Sequence, residues 1–363
     1  MSGRESIGVG IIGTGFARTT QIPGFRACEG ARVAAIASGR RENAERAARE
    51  FGIPFVGETW RDVLAREDVD LVSIVTPPVA HLEMSLAALD AGKAVLCEKP
   101  LAMTAVQAEA MLERARERGV LAHVDHELRF VPARRRMREM LLGDEIGRVR
   151  HAKFVYRADS RAGRERAWDW WSDAGAGGGV LGAIGSHAVD TFRWMTGAEI
   201  SEVFCSLSTH VAARPYGETK EMLRVTTDDE ANLLVRFNGG ALSEGATGSI
   251  SLSVVEAGRP EHYVEIFGER GALRAEENGT LWRAEVGAGT WREVEVERGD
   301  FAEGMRDSSW ARGFTAFARA IVEALREGRR EVEGAATFED GYQIQRVLDA
   351  GRASHESGCR VAV

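Results

Sequence analysis

The sequence predicts an α/β chain in two parts: a parallel-sheet domain over residues 1–125, and an α+β domain with an open, mainly antiparallel sheet over 126–363. Three observations carry that expectation. Short apolar runs alternate with helix-period segments through the first third of the chain, the rhythm of βαβ units. Farther on, the segments lengthen and alternate apolar with polar, as antiparallel strands with one wet face do. Finally, 363 residues exceed what a single core of ordinary size organises.

The elements follow in order. Ile7–Ile12 is a continuous apolar run, as a strand covered on both faces must be. A helix, or helix plus turn, is expected over Thr19–Cys28, a strand over Arg32–Ala37, and a helix over Arg41–Phe51 that stops at Gly52, a suitable C′ glycine. A short helix follows at Trp60–Ala65. Asp70–Val75 is the next strand, stopped by Thr76-Pro77-Pro78. Val79–Ala91 reads as a helix closed by Gly92, Ala94–Cys97 as a strand, Thr104–Gly119 as a helix with Thr104 as its N-cap, and Val120–Val124 as a strand. In the second part, strands are expected at His151–Arg157, Val203–His210, Glu230–Phe237, Ala241–Thr247, His262–Phe267, Ala272–Ala275, Thr280–Glu285 and Arg292–Glu297. Helical patterns cover Ser186–Thr196, Trp310–Gly328 and Thr337–Glu356.

Composition narrows the function. The chain is 44% hydrophobic and 28% charged, with net charge −8, so no basic stripe points to nucleic acid. The run Arg134-Arg135-Arg136, with Arg138 beyond it, reads as a solvated helix face. Cys28, Cys97, Cys205 and Cys359 lack the spacing of a zinc site and read as reduced thiols. No metal is expected. With no signal-type apolar region and no apolar stretch of about 20 residues, a cytoplasmic protein without a membrane partner is expected.

Several motifs carry chemistry. Gly13-Thr14-Gly15-Phe16 ends the first strand, where glycines permit a tight turn and let the backbone approach a pyrophosphate. The third position of the usual glycine fingerprint is Arg18, with Ala17 one place early, so the match is imperfect. After the second strand, Ser38-Gly39-Arg40-Arg41 offers a hydroxyl and guanidinium but no carboxylate, a set suited to a 2′-phosphate; Arg41 could instead pair with Glu45 one helical turn on. Thr76-Pro77-Pro78-Val79-Ala80-His81 lies at the carboxyl end of a parallel strand, where ligands bind in such sheets. Glu98-Lys99-Pro100 places an amine at another strand end. Alcohol oxidation needs a group to take the hydroxyl proton, and an adjacent cationic ring favours the neutral, accepting form of an amine. Farther on, Trp168-Asp169-Trp170-Trp171 precedes a glycine-rich stretch and then Ser186-His187, with Ser186 as a candidate cap and His187 and Asp190 on one helix face.

Together, Gly10–Gly15, Thr76–His81, Gly92–Pro100, Arg129-Phe130, Gly177–Asp190 and Asp340–Val363 resemble the glucose–fructose oxidoreductase / inositol dehydrogenase / MocA (Gfo/Idh/MocA) family, from residue 7 to the C-terminus. The resemblance implies a Rossmann domain followed by a domain whose open sheet makes oligomer contacts, giving a homodimer or homotetramer. It places Gly13, Thr14, Gly15 and Phe16 at the pyrophosphate, Ser38 and Arg40 near the 2′ position, and Thr76, Pro77 and His81 along the cofactor. Glu98 and Lys99 would stand near the nicotinamide, with Lys99 and His187 facing a small-molecule substrate. Arg129, Trp170 and Asp190 are further substrate-side candidates, and the Lys99–Pro100 bond is expected to be cis. The implied activity is NAD(P)-dependent hydride transfer to or from a secondary alcohol or ketone of a sugar, polyol or related cyclic compound, with NADP preferred and NAD possible. One position departs from the family pattern: Ala183 stands where an Asp is usual, four residues before the catalytic His. That departure favours an alternative, a non-catalytic NADP-binding regulator. A third reading is a redox-neutral enzyme that keeps its cofactor through the turnover.

Overall fold

The computed structural model of the protein describes residues 5–363. The chain forms two compact units, Met1–Val131 with Gly299–Tyr342, and Pro132–Arg298 with Gln343–Val363. This differs from the expected division into 1–125 and 126–363, because the chain returns to the first unit after residue 298.

The first unit holds a six-stranded parallel sheet: β1 (Ile7–Ile12), β2 (Ala31–Ala37), β3 (Phe55–Val56), β4 (Leu71–Ile74), β5 (Ala94–Cys97) and β6 (Ala122–Val124), in the order β3-β2-β1-β4-β5-β6. Strand order reverses between β1 and β4, the place where open parallel sheets form a ligand crevice at their carboxyl edge. Every residue of β1, β4 and β5 is buried, which is why these segments read as nearly unbroken apolar runs.

The helix expected at Thr19–Cys28 starts earlier. A π turn at Ala17–Gln21 runs into α1 (Ile22–Arg26), and Pro23 sits in the first turn of α1, where its missing N–H costs least. Then come α2 (Arg41–Phe51), α3 (Trp60–Leu64), α4 (His81–Asp90) and α5 (Ala105–Arg118). Gly52 ends α2 in the left-handed conformation (φ 66°), and Thr104 caps α5 by accepting from the Gln107 N–H at 3.3 Å.

The returning segment is bound in by aromatic packing. On its helix Ser309–Arg326, the ring of Phe314 meets Phe25 edge-on at 5.5 Å and Phe317 stacks on Phe130 at 4.6 Å. Gly24 is small for this reason: a Cβ there would lie 2.6 Å from the Phe314 ring. His123 on β6 is near-fully buried, and burial lowers its pKa to about 4. Its neutral ring lies 3.0 Å from the Ala336 carbonyl through Nδ1 and accepts from the Val332 N–H through Nε2 at 3.2 Å.

The second unit opens with α6 (Pro132–Leu142) and carries β7 (Val149–Arg157), α7 (Ser186–Thr196), β8 (Glu199–Ser208), β9 (Ala213–Tyr216), β10 (Glu221–Arg224), β11 (Glu230–Asn238), β12 (Thr247–Ser253), β13 (Glu261–Gly268), β14 (Gly271–Glu276), β15 (Leu281–Glu285), β16 (Arg292–Val294) and β17 (Val361–Ala362). Nine of these strands form one sheet in the order β16-β15-β14-β13-β7-β12-β11-β8-β17; only the β7–β12 pair is parallel. β9 and β10 make a separate hairpin. In the first unit, α8 is the helix Ser309–Arg326; α9 (Phe338–Ser357) begins in the first unit and passes into the second after Tyr342.

Two expectations need correction here. The strand placed at Ala241–Thr247 begins only at Thr247, because Gly239, Gly240 and Gly245 adopt positive φ and spend the preceding residues on tight reversals. The basic run on α6 is not a wholly solvated face. Arg135 and Arg136 are exposed, but Arg134 is buried, donating to Thr191 Oγ1 at 2.9 Å and contacting His262 Nε2 at 3.0 Å.

Among the described residues, no helix is long and apolar enough to cross a membrane, and no His, Cys, Asp or Glu cluster has the form of a metal site.

Candidate cofactor and catalytic site

The turn after β1 has the geometry of a phosphate cradle. Gly13 has φ 105°, its N–H donates to the Ala37 carbonyl at 2.8 Å, and a Cβ there would lie 2.3 Å from the Val75 carbonyl oxygen. The fold itself therefore demands glycine at 13. At Gly15 a Cβ would meet no protein atom within 4 Å, so bareness there serves close approach from outside. Thr14 reaches across to β2, its Oγ1 lying 3.4 Å from Ser38 Oγ. Phe16 is half-buried and leads into the π turn. These residues fit a dinucleotide.

Beyond Ser38, Arg40 is exposed, at the N-cap of α2. Arg41 is taken elsewhere: its Nε donates to Glu45 at 2.9 Å and its guanidinium also pairs with Glu58.

Thr76 and Pro77 follow β4 and are half-buried. His81 is fully buried, with Nδ1 3.0 Å from the Pro100 carbonyl oxygen and Nε2 2.9 Å from that of Thr76. Burial lowers its pKa, against the pull of the carbonyls of Thr76, Pro100 and Leu101. The expected direct role along a cofactor does not match this packing. The ring of His81 is packed between the Thr76 and Pro100 carbonyls, and in its neutral form it donates to one of them through its single N–H.

β5 ends in Glu98-Lys99-Pro100, and the Lys99–Pro100 bond is cis as expected. Lys99 is half-buried at the carboxyl edge of the sheet, and its N–H donates to Glu98 Oε2 at 3.3 Å. Its positive charge opposes protonation of Glu98 and of His81. Behind it lies a network that sequence reading missed. Gln21 Nε2 donates to Glu98 Oε1 at 2.9 Å and to Asp125 Oδ2 at 2.8 Å, while Ser73 Oγ donates to Gln21 Oε1. Burial raises the pKa of Glu98, and raises that of Asp125 well above the usual carboxylate range with the help of Glu127 and Glu98. Arg129, an expected substrate-side residue, is buried and pairs with Asp340 at 3.2 Å. It joins the turn after β6 to the start of α9.

In the second unit, Ser186 does not cap the helix carrying His187: it is the first residue of α7, whose N-cap position is Gly185. A π turn at Leu181–Gly185 precedes α7, and Ala183 lies buried within it. The anchor is Asp228, another residue missed in the sequence: Oδ2 accepts from the Leu181 N–H at 2.6 Å, and the Asp228 carbonyl accepts from Val180 N–H at 3.0 Å. A Cβ at Gly179 would lie 2.4 Å from Asp228 Oδ1, so that glycine makes room for the carboxylate. His187 and Asp190 are both buried one turn apart on α7. Trp170 is 37% exposed and meets Trp171 edge-on at 6.2 Å, while the Arg161 guanidinium lies 4.8 Å from the Trp171 ring centre.

Residues 7–126 match the model of the oxidoreductase family with an NAD-binding Rossmann fold, and residues 134–274 match the Gfo/Idh/MocA C-terminal domain. Glucose-fructose oxidoreductase domain-containing protein 2 of Homo sapiens is 30% identical over 97% of this chain and 92% of its own. The chain belongs to the Gfo/Idh/MocA oxidoreductase family. Among solved structures, an oxidoreductase domain protein from Kribbella flavida is 31% identical with TM-score 0.87, covering 100% of both chains. Levoglucosan dehydrogenase in complex with NADH and L-sorbose is 27% identical with TM-score 0.87, covering 99% of each chain. The protein is thus an NAD-dependent oxidoreductase of the Gfo/Idh/MocA family, with sugar dehydrogenases among its relatives.

Proposed function

We propose that this family member is a dehydrogenase or reductase of a secondary alcohol or ketone on a sugar, polyol or related cyclic compound, with Lys99 exchanging the hydroxyl proton. The observation that carries the reading is the half-buried Lys99 at the end of β5, on the same sheet edge as the Gly13–Gly15 turn and two strands from it, or about 10 Å at ordinary strand spacing. When bound, the nicotinamide supplies the hydride acceptor or donor. Gly13, Thr14, Gly15 and Phe16 would hold the pyrophosphate, and Thr76 and Pro77 the stretch beyond it. Glu98 stands beside the ring. His187 orients the substrate or relays its proton, with Trp170 and Asp190 as further substrate contacts. Purified protein given a panel of polyols and sugars with NADP⁺ or NAD⁺, read at the absorbance of the reduced cofactor, tests this. Turnover with any of them supports it. Cofactor binding without turnover favours the regulator that Ala183 suggests, and cofactor retained through purification without net redox change favours redox-neutral chemistry.

NADP is the preferred cofactor in this reading, supported by the hydroxyl of Ser38 and the exposed guanidinium of Arg40 after β2, with no carboxylate beside them. The levoglucosan dehydrogenase relative holds NADH, which keeps NAD as the second possibility. Arg40→Ala should weaken NADP binding much more than NAD; equal loss would place the 2′ group elsewhere. A homodimer or homotetramer is supported by the outer face of the second sheet, where Leu234 and Phe204 stand opposite each other on β11 and β8 and are 59% and 39% exposed. Light scattering of Leu234→Asp tests it: a fall in mass is expected. The described cysteines are all unpaired, three of them buried, in keeping with a cytoplasmic setting.

A further inference from the structure

Gln21, Ser73 and Asp125 are fully buried, and Glu98 is 8% exposed. Ser73 donates to the carbonyl end of Gln21, which turns the amide nitrogen toward the two acids. Two carboxyl oxygens on one nitrogen lie within about 6 Å of each other. Two full negative charges so close and so dry repel strongly, and one proton held between the groups removes the conflict. Asp125 Oδ1 is buried with no hydrogen-bond partner, a poor place for an ionised carboxylate oxygen. The groups facing the pair are Glu127 after β6, whose charge adds to the repulsion at Asp125, and Lys99, whose charge opposes it at Glu98. The Cys97 thiol beside them is held neutral by burial.

We propose that Glu98 and Asp125 share one proton in the cofactor-free protein, and release it when an oxidised, cationic nicotinamide binds but not when a reduced, neutral one does. The inference rests on the reading that places the ring at this sheet edge. In the step, the carboxyl O–H bond breaks, its electron pair stays on the carboxylate and the proton passes to solvent; no redox partner is needed. The pair thereby presents two negative charges to the cationic ring and one to the neutral ring. Oxidised cofactor then binds more tightly as pH rises, by up to about tenfold per pH unit for one proton, while reduced cofactor is indifferent to pH over the same range.

Calorimetric titration of the full chain with NADP⁺ and with NADPH tests this, in two buffers of different ionisation enthalpy at one pH. The heat of NADP⁺ binding should depend on the buffer by an amount equal to the release of up to one proton, and that of NADPH should not. Asp125→Asn, or Glu98→Gln should the first fail to fold, leaves one carboxylate and should abolish the difference. Buffer-independent heats for both cofactors in the wild-type chain would overturn the proposal, as would unchanged proton release in a folded variant. If neither cofactor binds, the dehydrogenase reading fails, and the shared proton is tested by itself through urea unfolding across pH. A carboxyl protonated when folded and ionised when unfolded makes folding take up a proton. Stability therefore falls as pH rises from the ordinary carboxylate range toward the raised value of the pair. Asp125→Asn should flatten that fall; the same slope in variant and wild type would overturn the shared proton.

Discussion

The carboxyl edge of the parallel sheet and the start of α7 solve the same problem in opposite ways. At the sheet edge, Gln21 from the π turn, Ser73 from β4, and Glu98 and Asp125 from the ends of β5 and β6 bond to one another through side chains, so two acids are buried together. At the start of α7, a single side chain, Asp228, satisfies backbone N–H at Leu181, and the glycine at 179 makes room for it. In the proposed reading the first arrangement serves the chemistry, whereas the second holds a helix in place. Substitutions in the two regions should therefore fail differently, one in the rate and the other in stability.

Lys99→Ala sharpens that contrast most. Loss of a general acid or base lowers kcat by about 10²–10⁴, and because Lys99 is half-buried and terminal to β5, the unfolding midpoint should hardly move. Steady-state kinetics beside urea unfolding check both halves, and wild-type turnover would remove Lys99 from the mechanism. Next in size is Phe314→Ala on α8. Removing a fully buried ring that meets Phe25 should cost about 3–5 kcal/mol of stability. Were the returning segment loosely held, the loss would be far smaller. Asp228→Ala removes the acceptor at Leu181 N–H and should cost about 1–2 kcal/mol, the usual worth of such a cap. Asp228→Asn keeps an acceptor and should recover most of that loss; equal losses would mean that packing, rather than the bond, holds the turn.

The sequence made some of this legible and hid the rest for physical reasons. β1, β4 and β5 are covered on both faces, so burial writes itself as near-continuous apolar runs. Gly52 and Thr104 announce helix ends because their roles are local. The amphipathic spacing of α8 reveals a helix, but its partners Phe25 and Phe130 are remote in sequence, so its return to the first unit was invisible. The polar network is hidden for the same reason: Gln21 and Asp125 are 104 residues apart and meet only because β1 and β6 share one sheet. His81 shows the limit of reading position alone. Its place after β4 suggested a ligand contact, whereas its ring is buried between the carbonyls of Thr76 and Pro100. In the second unit, one wet sheet face dilutes the apolar signal, and the serines of β12 alternate with Ile250 and Leu252 without standing out as a strand. The absence of a carboxylate at Ala183 was plain from the sequence, but the acids that gather behind Lys99 were not.

The smallest expected effect separates two adjacent arginines. Arg40 and Arg41 are both exposed after β2, and either could serve a 2′-phosphate by charge alone. The guanidinium of Arg41 is already engaged by Glu45 and Glu58, two exposed carboxylates that compete for its donors. Exposed pairs of this kind contribute little to stability because water screens them and long side chains lose freedom in forming them. Arg41→Ala should therefore leave the unfolding midpoint and the NADP-to-NAD affinity ratio close to wild type, whereas Arg40→Ala should move the ratio alone. Titrating both variants with both cofactors reads the difference directly. A larger change in the ratio for Arg41→Ala than for Arg40→Ala would mean that the Glu45 and Glu58 pairs open on binding and that Arg41 is the phosphate ligand.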